Sequence, residues 1–327
     1  CPPRPPAAVL RRLRGMGNFL DTPITEKDTQ VDADESKKLQ YGLSAMQGWR
    51  AQMEDDHVQI LSMPEIPELS LFGVYDGHGG DMVAHYVAAN FPSFLVNTKL
   101  LAPNMPEAEF VAKSKEAFEI SLLQIDDTMR HLPEVESGQD QSGSTSVMTL
   151  LSPRHIVCAN TGDSRAVLAR AGTSVTLSND HKPYLPGEKE RIEAAGGQVK
   201  FNRVNGDLAV SRALGDFVYK RCESVAAHEQ AVTALPEIIV EERHADDQFI
   251  VLACDGIWDV MSSQEVVDKV LELLQSGRPT PPPDDDSAMG DERAAPKAQR
   301  PWDLGAVCEA LIDHCLRLGS RDNMSVI

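Results

Sequence analysis

Leu69-Ser70-Leu71-Phe72-Gly73-Val74-Tyr75-Asp76-Gly77-His78-Gly79-Gly80 runs an apolar strand straight into an acid flanked by glycines and a histidine. A strand this apolar buries its end, and a carboxylate there is costly unless it is paired, hydrogen-bonded or bound to a metal. The pattern recurs at Phe249-Ile250-Val251-Leu252-Ala253-Cys254-Asp255-Gly256. Either motif alone reads equally well as a turn, because Asp-Gly after a strand is a common turn signal. Two of them on two apolar strands suggest a shared hard cation.

Further acids stand in more polar surroundings. Glu54-Asp55-Asp56 follows Gly48-Trp49-Arg50, Asp163 lies in Asn160-Thr161-Gly162-Asp163-Ser164-Arg165, and Asp322 lies in Ser320-Arg321-Asp322-Asn323. Alone, Glu54 and Asp55 read as a solvated turn. Together with Trp49-Arg50-Ala51-Gln52-Met53-Glu54-Asp55, Val204-Asn205-Gly206-Asp207-Leu208-Ala209-Val210-Ser211-Arg212 and Gly256-Ile257-Trp258-Asp259, the set resembles the metal-dependent protein phosphatases of the protein phosphatase 2C (PP2C) family, from about Tyr41 to Ile327.

The resemblance implies an α+β fold, a PP2C-like layered sandwich of two antiparallel β-sheets flanked by helices. It implies hydrolysis of phosphoserine and phosphothreonine in proteins with two Mg²⁺ or Mn²⁺ ions. Asp76 would bridge the pair, the Gly77 carbonyl with Glu54 and Asp55 would complete one side, and Asp255 with Asp322 would hold the other. Asp163 and Asp259 resemble the residues that, with Asp255, form a weaker third site in some members. Arg50 resembles the phosphate-binding arginine, whose planar fork suits two phosphate oxygens. His78 is the candidate general acid for the leaving alkoxide. His181 through Lys220 resembles the family's flap beside the site, and a monomer is expected.

Mg²⁺ and Mn²⁺ favour oxygen ligands in octahedral geometry, which dispersed aspartates supply. A metal pair about 3.5–4 Å apart can share a hydroxide and aim it at phosphorus, so no protein nucleophile and no phosphoenzyme is required.

Composition sets the outer limits. At 327 residues the chain holds one large domain or two small ones, and 42% hydrophobic content supplies a substantial core. A net charge of −19 and a pI near 4.8 argue against a nucleic-acid surface. A phosphorylated substrate is repelled too, unless bound divalent cations reverse the local field. The six cysteines (1, 158, 222, 254, 308, 315) form no CxxC pair, and Cys158 and Cys254 fall in apolar strands, which indicates reduced thiols and a cytoplasmic or nuclear location. No run of 18 apolar residues predicts a membrane span. Cys1–Arg14 lacks the apolar stretch of a signal peptide. If Met16 is the true start, Gly17 becomes a candidate for a myristoyl anchor, although Asp21 stands where Ser or Thr is usual. Met324-Ser325-Val326-Ile327 reads as mid-strand, so the chain is expected to be cut there.

Residues 1–38 are expected to be a flexible N-terminal extension, with 21–38 a loose acidic lead-in, and 39–327 the catalytic domain. Short apolar runs from 144 to 177 have the punctuation of an antiparallel meander. Asp81 is placed as N-cap of a helix buried through Val83, Val87 and Phe91, and Phe110, Val111, Phe118, Leu122 and Ile125 mark a second helix. Ser262 with Glu265 forms a capping box before Val266. The Pro- and Asp-rich 276–303 is expected to be a disordered surface insertion.

His314-Cys315-Leu316-Arg317-Leu318-Gly319-Ser320-Arg321 matches the HCx5R spacing of cysteine-dependent phosphatases. Val307, Leu311, Cys315 and Leu318 recur at helical spacing with Gly319 as C-cap, so Cys315 is expected to be a core residue. The remaining alternative is a scaffold that binds phosphoproteins without turnover.

Overall fold

The computed structural model describes residues 19–276 and 302–327. The Met16-Gly17 start and nearly all of the 276–303 insertion lie outside them. The chain lays down β1 (Phe19–Asp34), β2 (Leu39–Arg50), β3 (Asp56–Ile60), β4 (Ser70–Tyr75) and short β5 (Gly77–His78), then α1 (Met82–Asn97), α2 (Glu107–Arg130) and one-turn α3 (Pro133–Glu136). Next come β6 (Gly143–Ser144), β7 (Ser146–Leu151), β8 (His155–Thr161), β9 (Arg165–Arg170) and β10 (Thr173–Thr176). Residues 181–220 contain α4 (Pro186–Ala194), the hairpin β11 (Val199–Lys200) and β12 (Arg203–Val204), and β13 (Leu214–Gly215). The chain closes with β14 (Glu237–Glu242), β15 (Asp247–Ala253), α5 (Asp255–Trp258), α6 (Ser263–Ser276), α7 (Leu304–Leu318) and β16 (Met324–Val326).

Among the described residues the two main sheets are ordered β1-β2-β16-β15-β9-β10 and β14-β8-β7-β4-β3, with the small sheet β13-β6-β5 at one end and the β11-β12 hairpin apart. Alternation along β4 explains its unbroken apolar run: Leu71 and Tyr75 face helices α1 and α2, while Phe72 and Val74 face the opposing sheet. β15 does the same, with Val251 and Ala253 toward α6 and α7 and Leu252 toward the other sheet. Each such fully buried side chain is worth roughly 1.5–3 kcal/mol, so both strands are fixed in register at their ends, where the acids sit. The helix–sheet–sheet–helix layering is the expected architecture.

Three local expectations change. Residues 21–38 are no loose lead-in: Phe19–Asp34 forms the edge strand β1 on β2, in register from Lys27 opposite Met46 to Asp34 opposite Leu39. Its side chains are mostly exposed, so the pairing is carried by backbone and a few polar ties, among them Thr29 Oγ1 to Glu309 Oε1 at 2.7 Å and Lys27 to Asp313 at 2.7 Å. Composition carries no signal of either. The 144–177 run is also not one meander. β7 and β8 pair in one sheet and β9 and β10 in the other, so the chain changes sheets at Gly162-Asp163-Ser164. Asp81 precedes α1 as expected, but its side chain makes no cap hydrogen bond; its carbonyl accepts from the His85 N–H instead. The Ser262–Glu265 capping box is present, with Ser262 N–H donating to Glu265 Oε2 at 2.8 Å and Glu265 N–H to Ser262 Oγ at 3.3 Å.

Candidate active site

The C-terminal ends of β2, β4, β8 and β15 and the start of β16 meet at one end of the sandwich. Asp76 leaves β4 there. A Cβ on Gly77 would lie 2.2 Å from the Glu54 carbonyl oxygen, so only glycine lets the Glu54-Asp55 segment lie against this corner. The Asp255 corner is built alike: a Cβ on Gly256 would lie 2.0 Å from the Asn323 carbonyl oxygen, and the Ser320 hydroxyl donates to the Gly256 carbonyl at 2.6 Å. Asn323 ties the corners together. Its side-chain amide donates to the Gln47 and Gln52 carbonyls at 2.8 and 3.0 Å, and its Oδ1 accepts the Glu54 N–H at 2.9 Å.

The carboxylates converge without neutralising one another. Burial first, then Asp255, Asp55, Asp163 and Asp322, pushes Asp76 well above the ordinary carboxylate range. Burial and the Asp163, Asp322, Asp259 and Asp55 charges do the same to Asp255. Asp55 is driven up to about 7, mainly by burial; its Oδ2 accepts from Ser325 Oγ at 2.7 Å, whereas its Oδ1 is buried with no partner. Ligand atoms of Asp55, Asp76 and Cys254 lie within 4.8 Å of one another. The Cys254 sulfur is engaged by the Ser325 N–H at 3.1 Å, and its thiol is pushed well up by burial and the neighbouring acids. What remains for an ion is oxygen, including one orphaned buried carboxylate oxygen, and that donor set fits a hard divalent cation.

The other expected residues fall around this cluster. Arg50 is paired with Asp322, stands 5.8 Å from the Phe19 ring, and keeps a buried Nε without a partner. Asp163, on the sheet-changing turn, is buried and paired with Lys182. Asp259 follows α5, where burial and the Asp163 and Asp322 charges raise its carboxyl against the opposing pull of Lys182. His78 is half-buried, with Nε2 2.7 Å from Asp216 Oδ2. Burial opposes its protonation, yet the Asp216 carboxylate, by charge and by hydrogen bond, raises the imidazole above its ordinary value.

Sequence reasoning missed Asp216 and Lys182, although both lie in the segment read as the flap. Asp216 is held in the left-handed region (φ 51°). Gly143 makes room for it, since a Cβ there would lie 2.3 Å from Asp216 Oδ2 and 2.4 Å from His78 Nε2. The buried Lys220–Asp126 pair, at 2.8 Å, anchors the loop, with Asp126 Oδ1 also accepting the Gly215 N–H at 2.8 Å. The available signal was Leu214-Gly215-Asp216, a short apolar run into a glycine and an acid in the reverse order of the Asp-Gly corners.

Cys315 lies in α7, fully buried, with its thiol pushed up to about 12 by burial. Gly319 caps the helix in the left-handed conformation at φ 103°. Among the described residues Cys315 packs within α7 against Met261 rather than in a loop of converging N–H groups, and the HCx5R match is a coincidence of helical spacing.

Comparison with known proteins agrees with the geometry. A family model for protein phosphatase 2C matches residues 39–324. Protein phosphatase 1B of Bos taurus is 42% identical over 320 residues, covering 95% of this chain and 60% of the relative. Protein phosphatase 1A of Homo sapiens is 43% identical over 316 residues, covering 95% of this chain and 75% of the relative. The crystal structure of a phosphatase from Toxoplasma gondii superposes with a TM-score of 0.69 at 25% identity, covering 92% of this chain and 94% of that one. The chain thus spans about 60% of the length of the first of these relatives. With the family model covering both corners and the whole sandwich, the chain belongs to the protein phosphatase 2C family.

Proposed function

We propose that the protein hydrolyses phosphoserine and phosphothreonine in protein substrates, using two Mg²⁺ or Mn²⁺ ions and a weaker third. The observation that carries this reading is the convergence of Asp55, Asp76 and Asp255, all three driven up by burial and by neighbouring acids that include Asp163 and Asp322, with one buried oxygen left unpaired. Asp76, the Gly77 carbonyl, Glu54, Asp55, Asp255 and Asp322 would hold the ion pair, and Asp163 and Asp259 with Asp255 the third. Bound there, the ions would polarise the phosphoryl oxygens and activate water for direct attack on phosphorus, without a phosphoenzyme.

The chain's own side chains do the rest. Arg50 gives one arm of its fork to Asp322 and keeps an unpartnered Nε, and its remaining N–H groups would face phosphate oxygens beside the cluster. His78 would hand its proton to the leaving serine or threonine oxygen; Asp216, fixed on Nε2, orients the ring and favours the protonated form. An acidic molecule of net charge −19 needs these local positive centres to admit a phosphate at all. The test is hydrolysis of a phosphothreonine peptide by metal-stripped protein, with and without added Mn²⁺. Turnover restored by the metal and lost on chelation is expected; full activity of verified metal-free protein would sink the reading, and metal binding without turnover would point to the scaffold alternative.

A further inference from the structure

Lys182 reaches the acid cluster from the flap side. Its Nζ bonds Asp163 Oδ2, and the Asp255 and Asp180 charges act on it as well. Asp180 is already gripped by Arg165, through Nε at 3.0 Å and Nη2 at 2.9 Å, and Arg50 is committed to Asp322. The Lys182 charge is therefore left to Asp163, Asp255 and Asp259, the three acids of the weaker metal position. Nor is this a loose surface lysine. The His181 N–H donates to the Gly162 carbonyl at 2.9 Å, and the Gly162 N–H donates to His181 Nδ1 at 3.2 Å. Asn160 Nδ2 bridges the Gly162 and Asn179 carbonyls at 3.2 and 2.8 Å. The Asp163 turn and the root of the Lys182 side chain are thus stapled together, with the four-carbon stem alone carrying the ammonium from that root to Asp163.

We propose that Lys182 is a resident counter-cation of the Asp163–Asp255–Asp259 position, displaced when a divalent ion enters there, and that it thereby sets the weak affinity of the third ion. An ammonium and a divalent ion draw on the same carboxylates and repel each other, so the ion binds only as the ammonium leaves. Lysine suits the part better than arginine, since its charge is a compact point on a flexible stem that can move to solvent without breaking a bidentate grip. The consequence is regulatory: the tight pair stays loaded while occupancy of the third position follows the free divalent concentration.

The inference rests on the metal-dependent reading above, and calorimetry separates the two. Mg²⁺ is titrated into metal-free protein for the wild type, Lys182→Met and Lys182→Arg, with thermal melts confirming the fold; Lys182→Gln replaces the methionine variant if that fails to fold. Lys182→Met should tighten the weakest ion by about tenfold, leave the tighter ions unchanged, and shift the midpoint of the metal–turnover curve by the same factor. Lys182→Arg, whose bidentate fork is harder to displace, should instead weaken the weakest ion beyond wild type. Adding Asp163→Ala should erase the gain. An unchanged weakest affinity in folded Lys182→Met, equal tightening of all ions, or no third ion in either protein overturns the proposal. A wild type that hydrolyses phosphopeptide without binding any ion overturns the functional reading instead.

Discussion

The Asp76-Gly77 and Asp255-Gly256 corners carry the same dipeptide at the end of the same kind of strand, one in each sheet, and diverge immediately afterwards. From Gly77 the chain enters β5, pairs with Gly143–Ser144 and delivers His78 to Asp216. From Gly256 it enters α5, wedges against Asn323 and places Asp259 near Lys182 and Asp163. The first corner thus adds an imidazole–carboxylate pair to its acid, and the second adds a further acid that faces Lys182. In both, the glycine admits a second backbone carrying further acids. The dipeptide supplies proximity, and the residues after it decide the chemistry.

The largest expected effects test whether the corners are equivalent as metal holders. Asp76→Asn and Asp255→Asn should each lower phosphopeptide turnover by more than about 100-fold, since the loss of even an indirect ligand partner costs 10- to 100-fold in affinity. Stability should move the other way. Each substitution removes a buried charge crowded by like charges, so the melting temperature in chelator should rise by about 2–4 °C for each kcal/mol of repulsion relieved. Assays with saturating Mn²⁺ and melts in chelator check both halves. Loss of activity in one variant with retention in the other would break the equivalence.

Gly77→Ala and Gly256→Ala come next. A new methyl meets a backbone carbonyl oxygen at 2.2 Å in the first and 2.0 Å in the second, and a carbonyl cannot rotate aside as a side-chain end would. Overpacking of this kind costs about 1–3 kcal/mol, and both variants should melt several degrees lower and bind metal more weakly. Denaturant melts give the numbers. A Gly256→Ala protein as stable as wild type would show that the α5 corner has room to yield, leaving the β5 corner as the rigid half.

Much of this was readable in the chain because the decisive signals are local. β4 and β15 announce themselves by apolar runs, the acids by their place at the strand ends, and α7 by the spacing of Val307, Leu311 and Cys315. What escaped depends on pairing between distant segments. β1 is held by backbone bonds to β2 and by polar ties to α7, which leave no hydrophobic period in Phe19–Asp34. The sheet change at Asp163 leaves β8 and β9 each looking like ordinary meander strands, because each is buried whichever sheet it joins. Asp216 was hidden for a related reason. Its meaning comes from His78, 138 residues away, and from the space left by Gly143.

The smallest expected effect sharpens the comparison from below. α7 bears directly on the second corner: the Ser320 N–H closes on the Cys315 carbonyl at 3.0 Å, and the Ser320 hydroxyl reaches the Gly256 carbonyl. Cys315 itself faces inward, with Sγ 3.6 Å from Met261 Sδ and its side chain fully buried. Cys315→Ser exchanges a small hydrophobe for a hydroxyl that can bond back along its own helix, as Ser114 does to the Phe110 carbonyl at 2.7 Å. The cost is a modest packing loss, about 1 kcal/mol, with the second corner and its acids left in place. Turnover should stay within about twofold of wild type, because a thiol held protonated by burial supplies no nucleophile to lose. Steady-state kinetics beside a melt decides it. Inactivation with the melting temperature preserved would return the cysteine to the chemistry and remove the corners from its centre.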